Sequence, residues 1–165
     1  MIGKDALTKW LRAADAKLKK KVVLVAVGGT AMTLLGLKNS TIDVDFSIGS
    51  QDKKEFEAAL DKKFKVDIFV DGYIFSEQLP EDYIEKSKEV LVLDKIRLKV
   101  LSPADIVITK SARLNARDEE DIKAVAKYVK REELVKRFEQ VAGTYSGREE
   151  NYRENFEYVL RMYFH

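Results

Sequence analysis

The feature that most constrains the fold is a continuous apolar run over Val22–Val27, which ends at a pair of glycines. Such a run, without polar interruption, is typical of a strand that is covered on both faces. Gly28 and Gly29 leave room for a tight turn, and the next segment, Thr30–Leu35, predicts a short helix with Gly36 as its C-terminal cap. The sequence therefore predicts a strand–turn–helix unit as part of an α/β fold.

The glycine turn has two interpretations. Without side chains at Gly28 and Gly29, phosphate groups can approach the backbone, and the start of the following helix offers N–H donors and positive potential. The hydroxyl of Thr30 could then donate to a phosphate oxygen. The alternative is an ordinary tight turn in which Thr30 caps the helix, because short glycine motifs match many sequences.

A pair of carboxylates follows in the second predicted strand, over residues 42–48. Because strand side chains alternate between faces, Asp43 and Asp45 are expected on one face, and the core-facing residues are expected to be Ile42, Val44 and Phe46. Like charges on one face repel each other, and a bound cation would offset this repulsion. The alternative is a half-buried strand whose solvent face is acidic.

A third carboxylate, Asp67, lies in the next predicted strand, Lys65–Val70. Its two apolar neighbours are expected in the core, which leaves Asp67 on the opposite face. Asp71 is a rival, but its position beside a glycine favours a turn. Three carboxylates that converge beside a glycine turn could hold a divalent metal ion, Mg²⁺ or Mn²⁺, against a nucleoside triphosphate, because these cations prefer oxygen ligands.

Hydrophobic periodicity and turn signals predict the remaining elements. They are an amphipathic helix with Ala6, Leu7, Trp10, Leu11 and Ala14, a helix from Ser50 or Asp52 to Leu60, a hairpin of Glu89–Leu93 and Ile96–Val100, and helices over 102–116, 118–129, 132–141 and 149–163. The predicted fold class is α/β (α+β), with a small mixed sheet and flanking helices over 1–101. A C-terminal helical bundle over 102–165 is expected to pack on it.

Composition narrows the class of protein. The chain has 45% hydrophobic residues, with thirty basic residues against twenty-eight acidic ones, so a globular protein is expected and no nucleic-acid partner is demanded. The lack of cysteine excludes disulfides and thiolate metal sites.

No apolar run is long enough to span a bilayer, so we expect a cytoplasmic protein without a membrane partner. Abundant Lys and Glu match the bias of thermophile proteins. The single histidine, His165, leaves acid–base chemistry to carboxylates or lysine.

The motifs taken in order resemble the polymerase-beta-like nucleotidyltransferase superfamily. Within it, the resemblance is to small prokaryotic proteins related to abortive-infection-type nucleotidyltransferase toxins. Gly28-Gly29-Thr30, Asp43-Val44-Asp45 and Asp67 carry it, and a downstream motif matches in Leu101–Asp105, Lys110 and Arg117–Ile122. The ordered set covers roughly two thirds of the chain and is more specific than any of its parts.

The resemblance implies roles for these residues. Asp43, Asp45 and Asp67 would bind the metal ions, and Asp67 would also take a proton from an acceptor hydroxyl. Lys110 would reach the nucleotide phosphates and neutralise charge during transfer. Asp118 and Asp121 would support this helix pair, with helix capping and surface pairing as the alternative for all three. Capping is the better expectation for Asp118, because it stands where a cap belongs.

The implied activity is metal-dependent transfer of a nucleoside monophosphate from a ribonucleoside triphosphate to an acceptor hydroxyl. RNA, such as tRNA, and protein are both open as acceptors, and a toxin–antitoxin pair would add an antitoxin partner. The alternative is a non-catalytic binding module that keeps this fold, because a fold does not guarantee activity.

Overall fold

The computed structural model describes residues 1–165 and contains a five-stranded sheet and two short strand pairs. The strands are β1 (Ile2–Gly3), β2 (Val22–Ala26), β3 (Ser40–Thr41), β4 (Val44–Ile48), β5 (Val66–Val70), β6 (Tyr73–Ile74), β7 (Glu77–Gln78), β8 (Lys88–Val92) and β9 (Ile96–Val100). The helices are α1 (Lys4–Lys17), α2 (Gly28–Leu34), α3 (Lys53–Ala59), α4 (Tyr83–Lys86), α5 (Pro103–Arg113), α6 (Ala116–Val125), α7 (Arg131–Val141) and α8 (Glu149–Tyr163). None of the helices is both long and apolar enough to cross a lipid bilayer.

The chain divides into two compact units. The first comprises residues 1–71 and 86–101, and the second comprises residues 72–85 and 102–165. The sequence-based division lay after residue 101 alone, so the structure differs by grouping residues 72–85 with the C-terminal helices.

The first unit is built on a mixed sheet with the strand order β5-β4-β2-β9-β8. β2 runs parallel to β9 and antiparallel to β4, while β4 runs parallel to β5. β8 and β9 form the predicted antiparallel hairpin, which Leu93 N–H closes by donating to Ile96 C=O at 2.8 Å. The predicted fold class, a mixed sheet with flanking helices, is confirmed.

Burial in α1 and β2 follows the predicted patterns except at Ala6 and Val23, which are exposed. α1 buries Leu7, Trp10, Leu11 and Ala14 at helical spacing, which confirms the amphipathic first helix. The central strand β2 is buried at all positions except Val23, which is 37% exposed. Gly36 follows α2 with a φ of +76°, the left-handed conformation that suits a glycine after a helix end.

The second predicted strand is wrong at its start. Ser40 and Thr41 form the short strand β3, which pairs with β1 rather than with the central sheet. The chain must turn between the two sheets, so β4 begins only at Val44, and Asp43 lies before it. Ile42 is 58% exposed at this turn and is therefore outside the core, contrary to the prediction.

The second unit surrounds the helix α5. Residues 104–108 of this helix are buried without interruption, because α6, α7 and α8 all contact it. Phe138 stacks on Phe156 with ring centroids 3.8 Å apart and meets Tyr152 edge-on at 4.8 Å. The buried Tyr152 hydroxyl donates to Ile108 C=O at 2.8 Å. The four predicted C-terminal helices are confirmed as elements.

A buried arginine ties residues 72–85 to these helices. Arg137 on α7 makes two hydrogen bonds to the buried Asp105 carboxylate of α5, at 2.7 and 2.8 Å. Its remaining nitrogen donates to Asp82 at 3.0 Å. Because an unpaired buried charge is very unfavourable, both carboxylates hold Arg137 in place. This accounts for the grouping of the segment with the C-terminal helices.

Candidate functional site

The backbone of the glycine turn lies close to the Asp45 carboxylate. α2 begins at Gly28, two residues earlier than predicted, and Gly28 has a φ of +56°. A Cβ atom at Gly28 would lie 2.7 Å from Asp45 Oδ2, which is closer than real Cβ atoms approach an oxygen. Glycine is favoured here by its backbone conformation, and its missing side chain leaves the space in which the Asp45 carboxylate lies.

The second glycine makes room for a different side chain. A Cβ atom at Gly29 would lie 2.7 Å from Thr41 Oγ1 and 3.6 Å from Thr41 Cβ. Thr41 is buried at the end of β3 and was not singled out from the sequence. No local pattern marks Thr41, because Gly29 and its strand partner Ile2 are distant in the chain.

Thr30 uses its hydroxyl inside the protein. It is fully buried, donates to Asp43 C=O at 3.2 Å and accepts from Asp45 N–H at 2.9 Å. A hydroxyl has one hydrogen to donate. In this structure the hydrogen goes to Asp43, and Thr30 fixes the backbone that carries the carboxylates, while its donation to a phosphate oxygen stays a prediction.

Asp45 and Asp67 occupy neighbouring positions on parallel strands. They are register partners in the β4–β5 pair, and residues paired in this way share one face of the sheet. Both are half-buried. β5 is an edge strand, and all five of its residues are half-buried. The apolar neighbours of Asp67 are thus less buried than the alternation predicts.

The rival carboxylate, Asp71, is a turn residue as expected. Its φ is 52°, and its carboxylate accepts a hydrogen bond from Ser50 N–H at 3.1 Å. Short polar side chains tolerate this left-handed conformation and commonly bind backbone N–H groups in turns.

The carboxylates do not form a closed metal cage. No group of three or more His, Cys, Asp or Glu side chains is placed to hold a metal ion, so the expected convergence of Asp43, Asp45 and Asp67 is not present as such a group. Magnesium, however, is usually bound by one or two carboxylates together with substrate phosphates. The donors present are all carboxylate oxygens, and they fit this ion in chemical type.

Lys110 lies in the second unit and is buried, with a side chain that is 9% exposed. Its ammonium group lies 2.7 Å from Asp121 Oδ2 and 3.7 Å from Asp118 Oδ1. The surface pairing considered for these residues is therefore wrong: Lys110 joins α5 to α6 inside the unit.

Asp118 holds the start of α6, but not as its cap. The cap is Asn115, whose side chain accepts from Asp118 N–H at 2.9 Å, while the Asp118 carboxylate accepts from Asn115 N–H at 3.1 Å. The prediction of Asp118 as the N-cap is therefore wrong: the N-cap lies three residues earlier, at Asn115. Asp118 is instead the N3 residue of a reciprocal capping box.

Hydrogen bonds and neighbouring cations stabilise the ionised form of the Asp118 carboxylate. Arg113 donates to both of its oxygens at 2.9 Å. Burial alone would raise the pKa of Asp118, but the hydrogen bonds from Arg113 and Asn115 and the charges of Lys110 and Arg113 outweigh burial and lower it. Asp118 is therefore a permanently charged anchor for Arg113 and Lys110 at neutral pH.

Glu77 is a titratable group that the sequence did not reveal. It lies on β7, is 3% exposed, and accepts a hydrogen bond from Ser76 N–H at 3.1 Å. Burial raises the pKa of Glu77 to about 8, although this N–H and the charge of Arg113 oppose the shift. Its sequence neighbourhood is typical of a polar loop, so nothing local predicts burial.

A glycine turn beside a carboxylate of the mixed sheet fits the expected class of nucleotidyltransferases, and comparison with known proteins shows a nucleotidyltransferase family. The chain belongs to the family described as "Nucleotidyltransferase of unknown function (DUF6036)", whose model matches residues 5–165. The protein is accordingly an enzyme of the nucleotide-transferring class.

Two solved structures of ANT(2″)-Ia have a similar fold. A crystal structure of ANT(2″)-Ia in complex with adenylyl-2″-tobramycin is 15% identical, with a TM-score of 0.56 over 92% of this chain and 97% of that one. A solution structure of this antibiotic-resistance factor is 14% identical, with a TM-score of 0.57 over 94% and 93%. At these identities the similarity concerns the fold. No curated protein matches the chain in sequence.

Proposed function

We propose that the protein transfers a nucleoside monophosphate from a ribonucleoside triphosphate to an acceptor hydroxyl, with Mg²⁺ or Mn²⁺ as the metal ion. The observation that carries this proposal is the closeness of a carboxylate to the glycine turn: a Cβ atom at Gly28 would lie 2.7 Å from Asp45 Oδ2. Phosphates that approach the turn would therefore lie beside an anionic oxygen, and this placement is favourable only with a cation between them.

Each carboxylate has a separate role in the proposal. Asp45 and Asp43 bind the metal ion together with the phosphates of the nucleotide. The metal, when bound, neutralises charge on the phosphates. Asp67, the register partner of Asp45, completes the ligands and accepts the proton of the acceptor hydroxyl.

The transfer balances without a further reactant. The acceptor oxygen forms a bond to the α-phosphorus, and the bond from this phosphorus to the bridging oxygen breaks. Pyrophosphate leaves with the electron pair, and the hydroxyl proton passes to Asp67. Positioning and charge neutralisation supply most of the rate enhancement in phosphoryl chemistry of this kind.

Lys110, Asp118 and Asp121 enter the proposal through the family resemblance. Lys110 is proposed to neutralise charge on the nucleotide phosphates, and the two aspartates are proposed to fix its position. The 2.7 Å contact between Lys110 and Asp121 supports the second part.

The acceptor is proposed by chemical class. RNA and protein hydroxyls follow from the resemblance, and a toxin of a toxin–antitoxin pair would use either. A small polyol amine is the further candidate, because ANT(2″)-Ia, which was solved with an adenylylated tobramycin, matches 92% of this chain. The similarity in fold extends over 97% of that chain.

The test is labelled transfer. The protein is incubated with each α-labelled ribonucleoside triphosphate, Mg²⁺, and separately tRNA, a protein extract or tobramycin. We expect one acceptor class to be labelled by the parent and by Asp94→Asn, a control in the exposed hairpin turn, but not by Asp45→Asn. Absence of label in every arm would overturn the proposed transfer. Metal-dependent nucleotide binding without any transfer would instead support the non-catalytic binding module.

A further inference from the structure

Two hydroxyl groups converge on one backbone oxygen beside the proposed metal ligands. Asp43 C=O accepts from Thr41 Oγ1 at 2.8 Å and from Thr30 Oγ1 at 3.2 Å. A carbonyl oxygen has two lone pairs, so this pair of donors fills its hydrogen-bonding capacity. We call Thr30 and Thr41 the threonine clamp.

Thr30 of the clamp supplies a hydrogen bond where the ladder between β2 and β4 ends. Val27 N–H still donates to Asp45 C=O at 3.1 Å, as in an antiparallel ladder, but Val27 C=O accepts from Ala31 N–H at 3.1 Å in the first turn of α2. At this position Asp45 N–H donates to the side-chain oxygen Thr30 Oγ1 at 2.9 Å. Side chains thus hold the strand where β2 leaves it for the glycine turn.

Thr41 can reach Asp43 only because Gly29 has no side chain. The Thr41 hydroxyl occupies the space in which a Cβ atom of residue 29 would lie, at a separation of 2.7 Å. Thr41 is buried and its side chain is branched at Cβ, so it cannot easily move away.

We propose that Thr41 is a positioning residue for the catalytic carboxylates. Together with Thr30 it fixes the backbone at Asp43, and hence the separation of Asp43 and Asp45 on either side of Val44. Gly29 is glycine because the Thr41 hydroxyl requires its space. This inference rests on the proposed function. It explains the glycine at residue 29 by the space that Thr41 needs, rather than by direct contact with phosphate.

The first test compares Thr41→Val with Thr41→Ser. Valine keeps the shape and removes the hydroxyl, whereas serine keeps the hydroxyl. We expect Mg²⁺-dependent binding of a non-hydrolysable ribonucleoside triphosphate, measured by calorimetry, to weaken about fivefold or more in Thr41→Val, as the loss of about one hydrogen bond predicts. Thr41→Ser should bind nearly as the parent does. Equal binding by both variants would overturn the positioning role.

A ligand-free measurement separates this inference from the proposed function. Amide hydrogen exchange at Asp45 should be faster in Thr41→Val than in Thr41→Ser, because loosening Asp43 weakens the neighbouring bond to Thr30. If the parent protein fails to bind any triphosphate, the proposed function is overturned, whereas the clamp is decided by exchange alone. Unchanged exchange in Thr41→Val would overturn the clamp.

The assignment of Gly29 is tested by a double-mutant cycle. Gly29→Ala should weaken nucleotide binding in the parent by displacing Thr41, but should have little further effect in Thr41→Ala, where the space is already open. An equal loss in both backgrounds would show that Gly29 contacts the nucleotide directly, and would overturn this part of the inference.

Discussion

At the scale of single residues, the site depends on positions where a side chain is absent or is used by the protein itself. The missing side chain of Gly28 leaves space for the Asp45 carboxylate, and the Thr30 hydroxyl donates to Asp43 C=O. The sequence identifies these residues as a motif, but the atoms that require them lie thirteen to seventeen residues away. The motif was therefore predictable, whereas the reason for each residue type was not.

Alanine variants of Gly28 and Gly36 separate the effect of backbone strain from the effect of a clash with a neighbouring side chain. Both have positive φ angles, +56° and +76°, but a Cβ atom at Gly36 would have no neighbour within 4 Å. Each alanine variant should lose roughly 1–2 kcal/mol of unfolding free energy through backbone strain. We expect only Gly28→Ala to lose metal-dependent nucleotide binding as well, since it displaces Asp45. Calorimetry on both folded variants checks this, and an equal loss of binding would disprove it.

Glu77 gives a pH dependence of stability with a defined sign. The folded protein holds the Glu77 proton more tightly than the unfolded chain, with the pKa raised from 4.5 to about 8. Its contribution to stability is therefore present below pH 4.5 and is lost as the pH rises through about 8.

Glu77→Gln should remove this loss. At about 1.4 kcal/mol for each pKa unit, we expect the variant to exceed the parent by roughly 2 kcal/mol or more at pH 8.5 in urea unfolding, with a smaller difference at pH 5. Glu81→Gln, at an exposed position, should show no such divergence. Parallel stability profiles for the parent and Glu77→Gln would contradict the assignment.

At the scale of secondary-structure elements, the junction of α5 and α6 is the most charged part of the second unit. Lys110 and Arg113 leave α5 to meet Asp118 and Asp121 of α6. Removal of one partner from a buried ion pair leaves an uncompensated charge, which is far less favourable than removal of both.

Lys110→Met should therefore destabilise the protein by about 3 kcal/mol, the usual size for a broken buried pair. Adding Asp121→Asn should restore part of this stability, because it removes the carboxylate charge that Lys110 had offset at 2.7 Å. If Lys110 also neutralises phosphate charge, turnover should stay about a hundredfold or more below that of the parent in the stabilised double variant. Recovery of turnover together with the melting temperature would assign Lys110 a structural role alone.

Most elements were predictable because their signals are local. Helical spacing of apolar residues identified α1, and Ser102-Pro103 identified the start of α5, where Ser102 accepts from Asp105 N–H at 3.3 Å. The paired short strands β1 and β3 were not predicted, because two residues show no periodicity. That omission also caused the error at Ile42.

At the scale of the whole molecule, the formal net charge is only +2. Long-range attraction of a polyphosphate is therefore weak. In the proposed function, recognition comes from local groups and the proposed metal ion, so metal removal tests that proposal for the enzyme as a whole.

Chelation of divalent metal should abolish both triphosphate binding and transfer, and added Mg²⁺ or Mn²⁺ should restore them. Asp67→Asn should then separate the two activities: it keeps an oxygen ligand and much of the binding, but it loses the base, so transfer should fall by about a hundredfold or more. Calorimetry and labelled transfer report each activity. Transfer at the parental rate in Asp67→Asn would remove Asp67 from the proton-accepting role.

The hydroxyl of Thr30, which stands in for a backbone group at the end of β2, limits how this family can diverge. A substitution at residue 30 keeps both hydrogen bonds only if one of its atoms is both a donor and an acceptor. Similar size or hydrophobicity does not meet this condition. Serine meets this condition, whereas valine, alanine and asparagine do not at the same position. Natural relatives should therefore alternate only between threonine and serine at this site, even where the surrounding core has changed extensively.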